Sequence, residues 1–307
     1  MNNTKKKSPI SWVPTAYFAM GLPFVVLNMV TVLMFKGLEV DDKLITFWTS
    51  LILLPWTLKP LWSPFLELFR TKKFFVIVTQ LITGVTFGLV AFALNLSHFF
   101  SISIALLAIV AFSGATHDIA CDGVYMSELS NEDQAKFIGW QGAFYNIAKI
   151  LATGGLVYLA GYFIELNADA GLLTANKRAW MIILLILSVT MILLGIYHLF
   201  ALPSTQSASS RKTLRSNKEV MKELGQVLMD FFRKTHITYY ICFIILYRFA
   251  EGFVMKIVPL FLKADREMGG LGLNEKEIGL YYGTYGAAAF VLGSLLAGYY
   301  IARRGLK

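Results

Sequence analysis

The chain has 307 residues, of which 56% are hydrophobic, 14% are aromatic and 15% are charged. Soluble domains carry about 25% charged residues. This deficit, together with recurring apolar runs of about 20 residues, argues against a soluble globule and predicts an all-α polytopic membrane protein. The net charge of +9 does not indicate a nucleic-acid partner, because Lys and Arg cluster in alternate loops, the positive-inside pattern that sets topology in a lipid bilayer.

The first part of the chain, residues 1–202, is predicted to form a bundle of six membrane-spanning helices. Their expected bounds are Trp12–Phe35, Leu44–Leu66, Phe74–Leu96, Phe99–Met126, Phe137–Ile164 and Ala179–Leu202. We expect the first span to break near Pro23, because proline lacks the amide hydrogen that a helix interior uses.

Residues 203–235 differ in character, being Ser-rich and then basic, with apolar residues at helical spacing. This pattern predicts a basic cytoplasmic linker that carries a helix lying on the membrane surface. Residues 236–307 then provide two further spans, His236–Leu262 and Ile278–Ala302. Alternation of sides places the N-terminus, the linker and most Lys and Arg residues together, and we assign that side to the cytoplasm.

Two carboxylates interrupt the fourth span. Asp118 and Asp122 are four residues apart, so they share one face of a helix. A carboxylate in hydrocarbon costs about 2.5–3.5 kcal/mol on insertion scales, so such groups normally face a bundle interior or a watery cavity. We predict proton coupling at this pair. The alternative is a structural pair near the cytoplasmic end that caps loops or binds Lys and Arg.

The fifth span carries a polar stripe, because Gln141, Tyr145 and Lys149 recur at intervals of four residues. We predict that this stripe binds substrate. Lys149 lies inside an apolar run and needs a partner, most simply Asp118, Asp122 or a substrate anion. A purely structural ion pair within the bundle is the alternative.

Two further groups of charged residues are candidates for function. In span seven, Tyr247, Arg248 and Glu251 lie within about one helical turn. We predict that they bind substrate. The alternative is that the cation and the acid neutralise each other. Glu67 and Arg70, after span two, are predicted to form a conformational latch between helices. The sequence has no phosphate loop, no zinc-ligand spacing and no nucleophile with a nearby base, so we expect no cofactor, no metal and no enzymatic activity.

Four stretches carry a resemblance to a known family. They are Gly21-Leu22-Pro23, the run LPWTLKPLWSP from Leu54 to Pro64 that is followed by Glu67, the run THDIACD from Thr116 to Asp122, and the run YRFAE from Tyr247 to Glu251. In this order they resemble the AmpG-like muropeptide permeases, a branch of the major facilitator superfamily related to the acetyl-CoA transporters. Glu67 stands where the superfamily's loop signature usually has Asp, and Ala302 replaces the acid of the second such signature.

The resemblance implies a major facilitator-type helical bundle, of which about 8 of an expected 12 transmembrane helices are present, so we expect the chain to be a fragment. It implies a monomeric, proton-coupled symporter in the bacterial inner membrane, importing a muropeptide or a GlcNAc–anhydroMurNAc-type sugar. The residues themselves indicate only a polar solute, either neutral or charged. Another sugar, a peptide or an acetyl-CoA-like solute is the alternative within transport, and a membrane-embedded enzyme or a non-transporting sensor is the alternative outside it.

Overall fold

The computed structural model describes residues 7–63, 66, 71–203, 225–226, 229–230, 232–289 and 293; the side chains of Arg248 and Glu251 are outside this description. Regular structure in the described residues is helical throughout. Six of the described helices are long and apolar enough to cross a membrane, which confirms the predicted all-α polytopic class. They are α1 (Pro9–Gly37), α2 (Asp42–Leu61), α3 (Lys72–Ala93), α4 (Phe99–Glu128), α5 (Asn131–Leu166) and α6 (Leu172–Ala201).

Helix α1 forms the centre of the bundle. Of its most apolar stretch 89% is buried, against 17% for α2. The expected break near Pro23 is wrong, because the helix continues through this residue. A π-helical turn follows at Val26–Val30, a local change of hydrogen bonding that does not end the helix.

Prolines divide α2 into three pieces instead. Its first piece, Asp42–Leu51, is capped by Asp41, whose side chain accepts from the amides of Lys43 and Leu44. A short helix at Leu54–Leu58 and a 3₁₀ turn at Lys59–Leu61 follow. The proline-rich run therefore presents its side chains to α4 from an irregular backbone.

Helix α3 packs closely against both α4 and α6. Gly84 of α3 allows this, since a Cβ there would lie 2.7 Å from Ile192 Cγ1 and 2.9 Å from the Ser188 carbonyl oxygen of α6. Two buried apolar clusters result, a large one around Phe35, Phe87 and Trp180 and a smaller one around Trp12 and Val76.

The predicted spans seven and eight correspond to two further helical segments. Helix α7 is Ile237–Lys263, and α8 begins at Glu275–Ile278 and continues as the π-helical stretch Gly279–Gly286. The structure describes too little of residues 203–235 to test the predicted surface helix.

The described contacts of α7 and α8 with the first six helices lie between the middle of the bundle and the end that holds the α1–α2 and α5–α6 connections. There α8 meets α5 through glycines: a Cβ on Gly161 would overlap the backbone of Lys276, and one on Gly283 would overlap the carbonyl of Thr153. At the same end, Lys276 pairs with Glu165 at 2.9 Å, and Lys263 of α7 pairs with Glu275 of α8.

Candidate functional site

Asp118 lies within α4 and is only 8% exposed. One carboxylate oxygen, Oδ2, accepts two hydrogen bonds from α2: from Lys59 Nζ at 2.6 Å and from Trp56 Nε1 at 2.9 Å. The other oxygen, Oδ1, is buried and has no hydrogen-bond partner in the described part of the chain. The two oxygens of this acid are therefore chemically unlike, since one is saturated and the other is open.

The position of Trp56 depends on a glycine. Gly114 precedes Asp118 by one turn on the same face of α4, and a Cβ there would come within 2.8 Å of Trp56 Cζ2. The edge of the indole is also held by Phe24 of α1, with ring centroids 5.2 Å apart. Gly114 thus leaves the space that brings the indole N–H to Asp118.

Asp122 lies one turn further along α4 and has different surroundings. It is exposed, and its Oδ1 accepts from the hydroxyl of Tyr17 of α1 at 2.8 Å. That hydroxyl in turn accepts from Gln141 Nε2 of α5 at 2.7 Å. We refer to Tyr17, Trp56, Lys59, Asp118, Asp122 and Gln141 together as the acid cluster.

A cavity of about 510 Å³ opens beside the acid cluster, between α1, α4 and α5. Its lining includes Tyr17, Asp122, Tyr125, Gln134 and Gln141. Binding pockets for small ligands commonly measure about 300–1,000 Å³ and place a few polar groups on an otherwise apolar wall. Asp122 thus faces the cavity, whereas Asp118 lies buried behind it.

The predicted stripe on α5 is only partly joined to this cluster. Gln141 belongs to the acid cluster. Tyr145 packs against Gly21 of α1, where an added Cβ would lie 3.3 Å from the tyrosine ring. Lys149 is half-buried. The sequence suggested Asp118, Asp122 or a substrate anion as the partner of Lys149. The described hydrogen bonds of the two acids go to Lys59 and Trp56 for Asp118 and to Tyr17 for Asp122.

The remaining predicted residues are not brought to the cluster by the described structure. Tyr247 of α7 is 66% exposed, and its ring stacks on that of Phe243. The side chains of Arg248 and Glu251 lie outside the described set, and so do Glu67 and Arg70, the predicted latch.

Sequence reasoning missed a buried polar chain that joins four helices. Gln80 of α3 lies 2.9 Å from His117 Nε2 of α4 and 2.8 Å from His198 Nδ1 of α6. His198 Nε2 lies 2.9 Å from the Thr15 hydroxyl of α1. Each of these residues lies within an apolar run. An uncharged polar residue in such a run is a sequence feature that could have predicted a hydrogen bond between helices.

It also missed Lys256 of α7, which is 5% exposed. Its ammonium donates to two backbone carbonyls of the first bundle, Asn28 at 3.2 Å and Thr49 at 3.3 Å. In a regular helix the backbone amide of Leu53 would donate to the carbonyl of Thr49. Here that amide donates to the carbonyl of Ser50 instead, so the Thr49 carbonyl can accept from Lys256. A cation of the second part of the chain is therefore tied to irregular turns of α1 and α2.

Metal ligation is not a feature of the described residues, since no group of three or more His, Cys, Asp or Glu side chains among them could hold an ion. A helical bundle with buried charged groups beside a cavity is typical of multi-pass membrane proteins that handle polar solutes.

Comparison with known proteins makes the class specific: the chain belongs to the Major Facilitator Superfamily, whose family profile matches residues 15–307. It is 24% identical over 297 residues to the anhydromuropeptide permeases of Escherichia coli K12 and of Escherichia coli O157:H7. The match covers 94% of this chain and 54% of each relative, so the chain spans about half the length of these curated relatives.

A solved structure is similar in fold. It is described as a bacterial homolog of the human lysosomal transporter Spinster, in an inward-facing and unoccupied conformation. The TM-score is 0.67 at 14% identity, over 98% of this chain and 63% of the other. The predicted facilitator-type bundle is thereby confirmed.

Proposed function

We propose that the chain belongs to a secondary transporter, a proton-coupled symporter that imports a polar solute across the bacterial inner membrane. The observation that carries the proposal is Asp118, a buried carboxylate in the middle of a membrane helix with one saturated and one open oxygen. Ionisable groups in such positions mark ion and substrate pathways. The open oxygen is where a proton can bind without displacing the donors Trp56 and Lys59.

The solute in this proposal is a muropeptide or a GlcNAc–anhydroMurNAc-type sugar. The name of the permease relatives supports it, and so do the stretches that resemble the family. The cavity beside the acid cluster is of a size that suits a disaccharide, and its hydroxyl, amide and carboxylate groups can bind sugar hydroxyls. The predicted substrate contacts of Tyr145, Lys149, Tyr247, Arg248 and Glu251 remain part of this proposal.

We also propose the orientation and the division of the chain. Residues 1–202 form the first bundle, 203–235 a cytoplasmic linker and 236–307 helices of a second bundle. With the N-terminus in the cytoplasm, the end where α7 and α8 meet α2 and α5 lies outside. Lys256 and the Lys276–Glu165 pair are at that end. The cavity beside Asp122, near the α4–α5 turn, then opens inward.

An uptake assay tests this function. Cells that express the protein should accumulate labelled GlcNAc–anhydroMurNAc saturably, and a protonophore should abolish accumulation. Asp118→Asn should abolish pH-driven accumulation while solute exchange down its own gradient is retained, since the amide mimics a carboxyl group that stays protonated. Competition by unlabelled peptides, other sugars or acetyl-CoA identifies a different solute, and an absence of saturable uptake of any of them contradicts a transport function.

A further inference from the structure

Lys59 holds the cation nearest to Asp118, and its setting differs from that of its partner. The Lys59 side chain is 28% exposed and that of Asp118 is 11% exposed. An ammonium has three N–H donors, and the hydrogen bond described for Lys59 uses one of them, on Asp118 Oδ2. The lysine can therefore contact the buried acid and a solute, whereas the acid is confined to the protein.

The proton and Lys59 compete for the negative charge of Asp118. While Asp118 is ionised, the Lys59 ammonium is held at 2.6 Å and the pair is neutral. When a proton binds at Oδ1, the acid becomes neutral and the charge of Lys59 is left uncompensated. A cation that is only partly exposed to solvent then attracts an anion more strongly than it does in bulk water.

We propose, on the basis of the transport function above, that Lys59 is the residue that selects a carboxylate-bearing solute, and that it becomes available for that solute when Asp118 is protonated. Proton and anionic solute thereby bind cooperatively, and each increases the affinity for the other by the same factor. For peptide-free GlcNAc–anhydroMurNAc the anion is the lactyl carboxylate, and for a muropeptide, whose lactyl carboxyl is bound as an amide, it is a carboxylate of the peptide.

The other titratable groups near this pair do not supply a second cation. The charged or titratable side chains that interact with Asp118 are Lys59 of α2, Cys121 and Asp122 of α4, and Tyr145 of α5. Tyr17 of α1 interacts with Asp122, and His117 of α4 is bonded to Gln80 on another face. In the described surroundings of Asp118, Lys59 is the group whose positive charge the proton releases.

Solute exchange by the full chain in proteoliposomes tests the inference, with two probes: GlcNAc–anhydroMurNAc and its neutral methyl ester. The wild type should prefer the free carboxylate, with a preference in half-saturating concentration of at least about fivefold, the lower end of common coupling factors. Between about pH 5.5 and 8.5, above the ionisation of an ordinary carboxylic acid near 4, this preference should fall as pH rises, because Asp118 loses its proton and recaptures Lys59. Exchange of the ester should not follow this trend.

Variants assign the effect to the pair. Lys59→Gln should remove the preference for the carboxylate, Lys59→Arg should retain it, and Asp118→Asn should retain it at every pH. Lys43→Gln, an exposed lysine of the same helix, is the matched control and should behave as the wild type. If Lys59→Gln does not fold because Asp118 is left unpaired, the neutral double variant Lys59→Gln/Asp118→Asn replaces it and should lack the preference.

The outcomes separate this inference from the proposed function. Saturable exchange of both probes with equal affinity by the wild type contradicts the role of Lys59 and leaves transport intact, as does a preference that survives in Lys59→Gln or in the double variant. An absence of exchange of either probe by the wild type contradicts the proposed function and the inference together.

Discussion

At the scale of single residues, the carboxylate of Asp118 depends on donors from another helix, and one glycine permits their approach. Gly114 matters because the space of its missing side chain is filled by the Trp56 ring, which Phe24 fixes from the other side. A methyl group there forces the ring away and removes a donor from Asp118.

Gly114→Ala should therefore lower the thermal stability of the purified protein, by an amount typical of overpacking, about 1–3 kcal/mol. Gly142→Ala is the control, since a Cβ on this helical glycine meets nothing within 4 Å, and alanine favours a helix over glycine by up to about 1 kcal/mol. Thermal unfolding in detergent measures both variants. Equal unfolding temperatures for Gly114→Ala and the wild type would show that the indole can move away freely.

At the scale of elements, α1, α3, α4 and α6 are held together by a chain of uncharged polar groups. Gln80 is its centre, because the amide bridges His117 and His198 while both histidines are buried. A buried polar group that loses its partner costs about 1–3 kcal/mol.

Gln80→Leu should destabilise the protein by about that amount or more, because His117 and His198 each lose a hydrogen bond. Thr190→Val is a matched control: its hydroxyl bonds only within α6, to the Ile186 carbonyl, so no contact between helices is lost. Unfolding temperature and yield of folded protein are the measurements. A Gln80→Leu variant as stable as Thr190→Val would mean that the histidines find other partners.

Lys256 joins α7 to α1 and α2, because its ammonium group donates hydrogen bonds to a backbone carbonyl of each helix. Replacing a buried charge by an apolar group of similar volume is often neutral or stabilising, so Lys256→Met should keep or raise the unfolding temperature. Lys43→Met, at an exposed position, should leave it unchanged. A strong loss of stability in Lys256→Met alone would show that the two carbonyl contacts outweigh the desolvation of the ammonium.

At the scale of the whole molecule, the proposed orientation puts the α4–α5 turn and the α5–α6 loop on opposite sides of the membrane. In a cysteine-free background, Asn131→Cys and Ala168→Cys probe these two exposed positions. A membrane-impermeant thiol reagent added to intact cells should label Ala168→Cys and not Asn131→Cys, and permeabilised cells should label both. The reverse pattern inverts the topology, and with it the side on which the cavity opens.

Helices were predictable because long apolar runs have few other ways to satisfy their backbones in lipid. The acid cluster was predictable only in part. Asp118 was recognisable by its own residue type, but its partner Lys59 lies 59 residues earlier, and no local periodicity relates the two. Lys149 was favoured instead because its helical spacing was visible, whereas the irregular, proline-divided backbone that carries Lys59 to α4 follows no simple period.

The glycine contacts between α5 and α8 have one more consequence. Gly161 lies against the backbone of Lys276, and Gly283 lies against the carbonyl of Thr153, so neither glycine places a side chain between the two helices. Rotation of one helix against the other at this point need not disengage knobs from holes or exchange rotamers, the steps that make most packed helix pairs resist sliding. We therefore expect the two helices to shift against each other at these two glycines while they remain in contact.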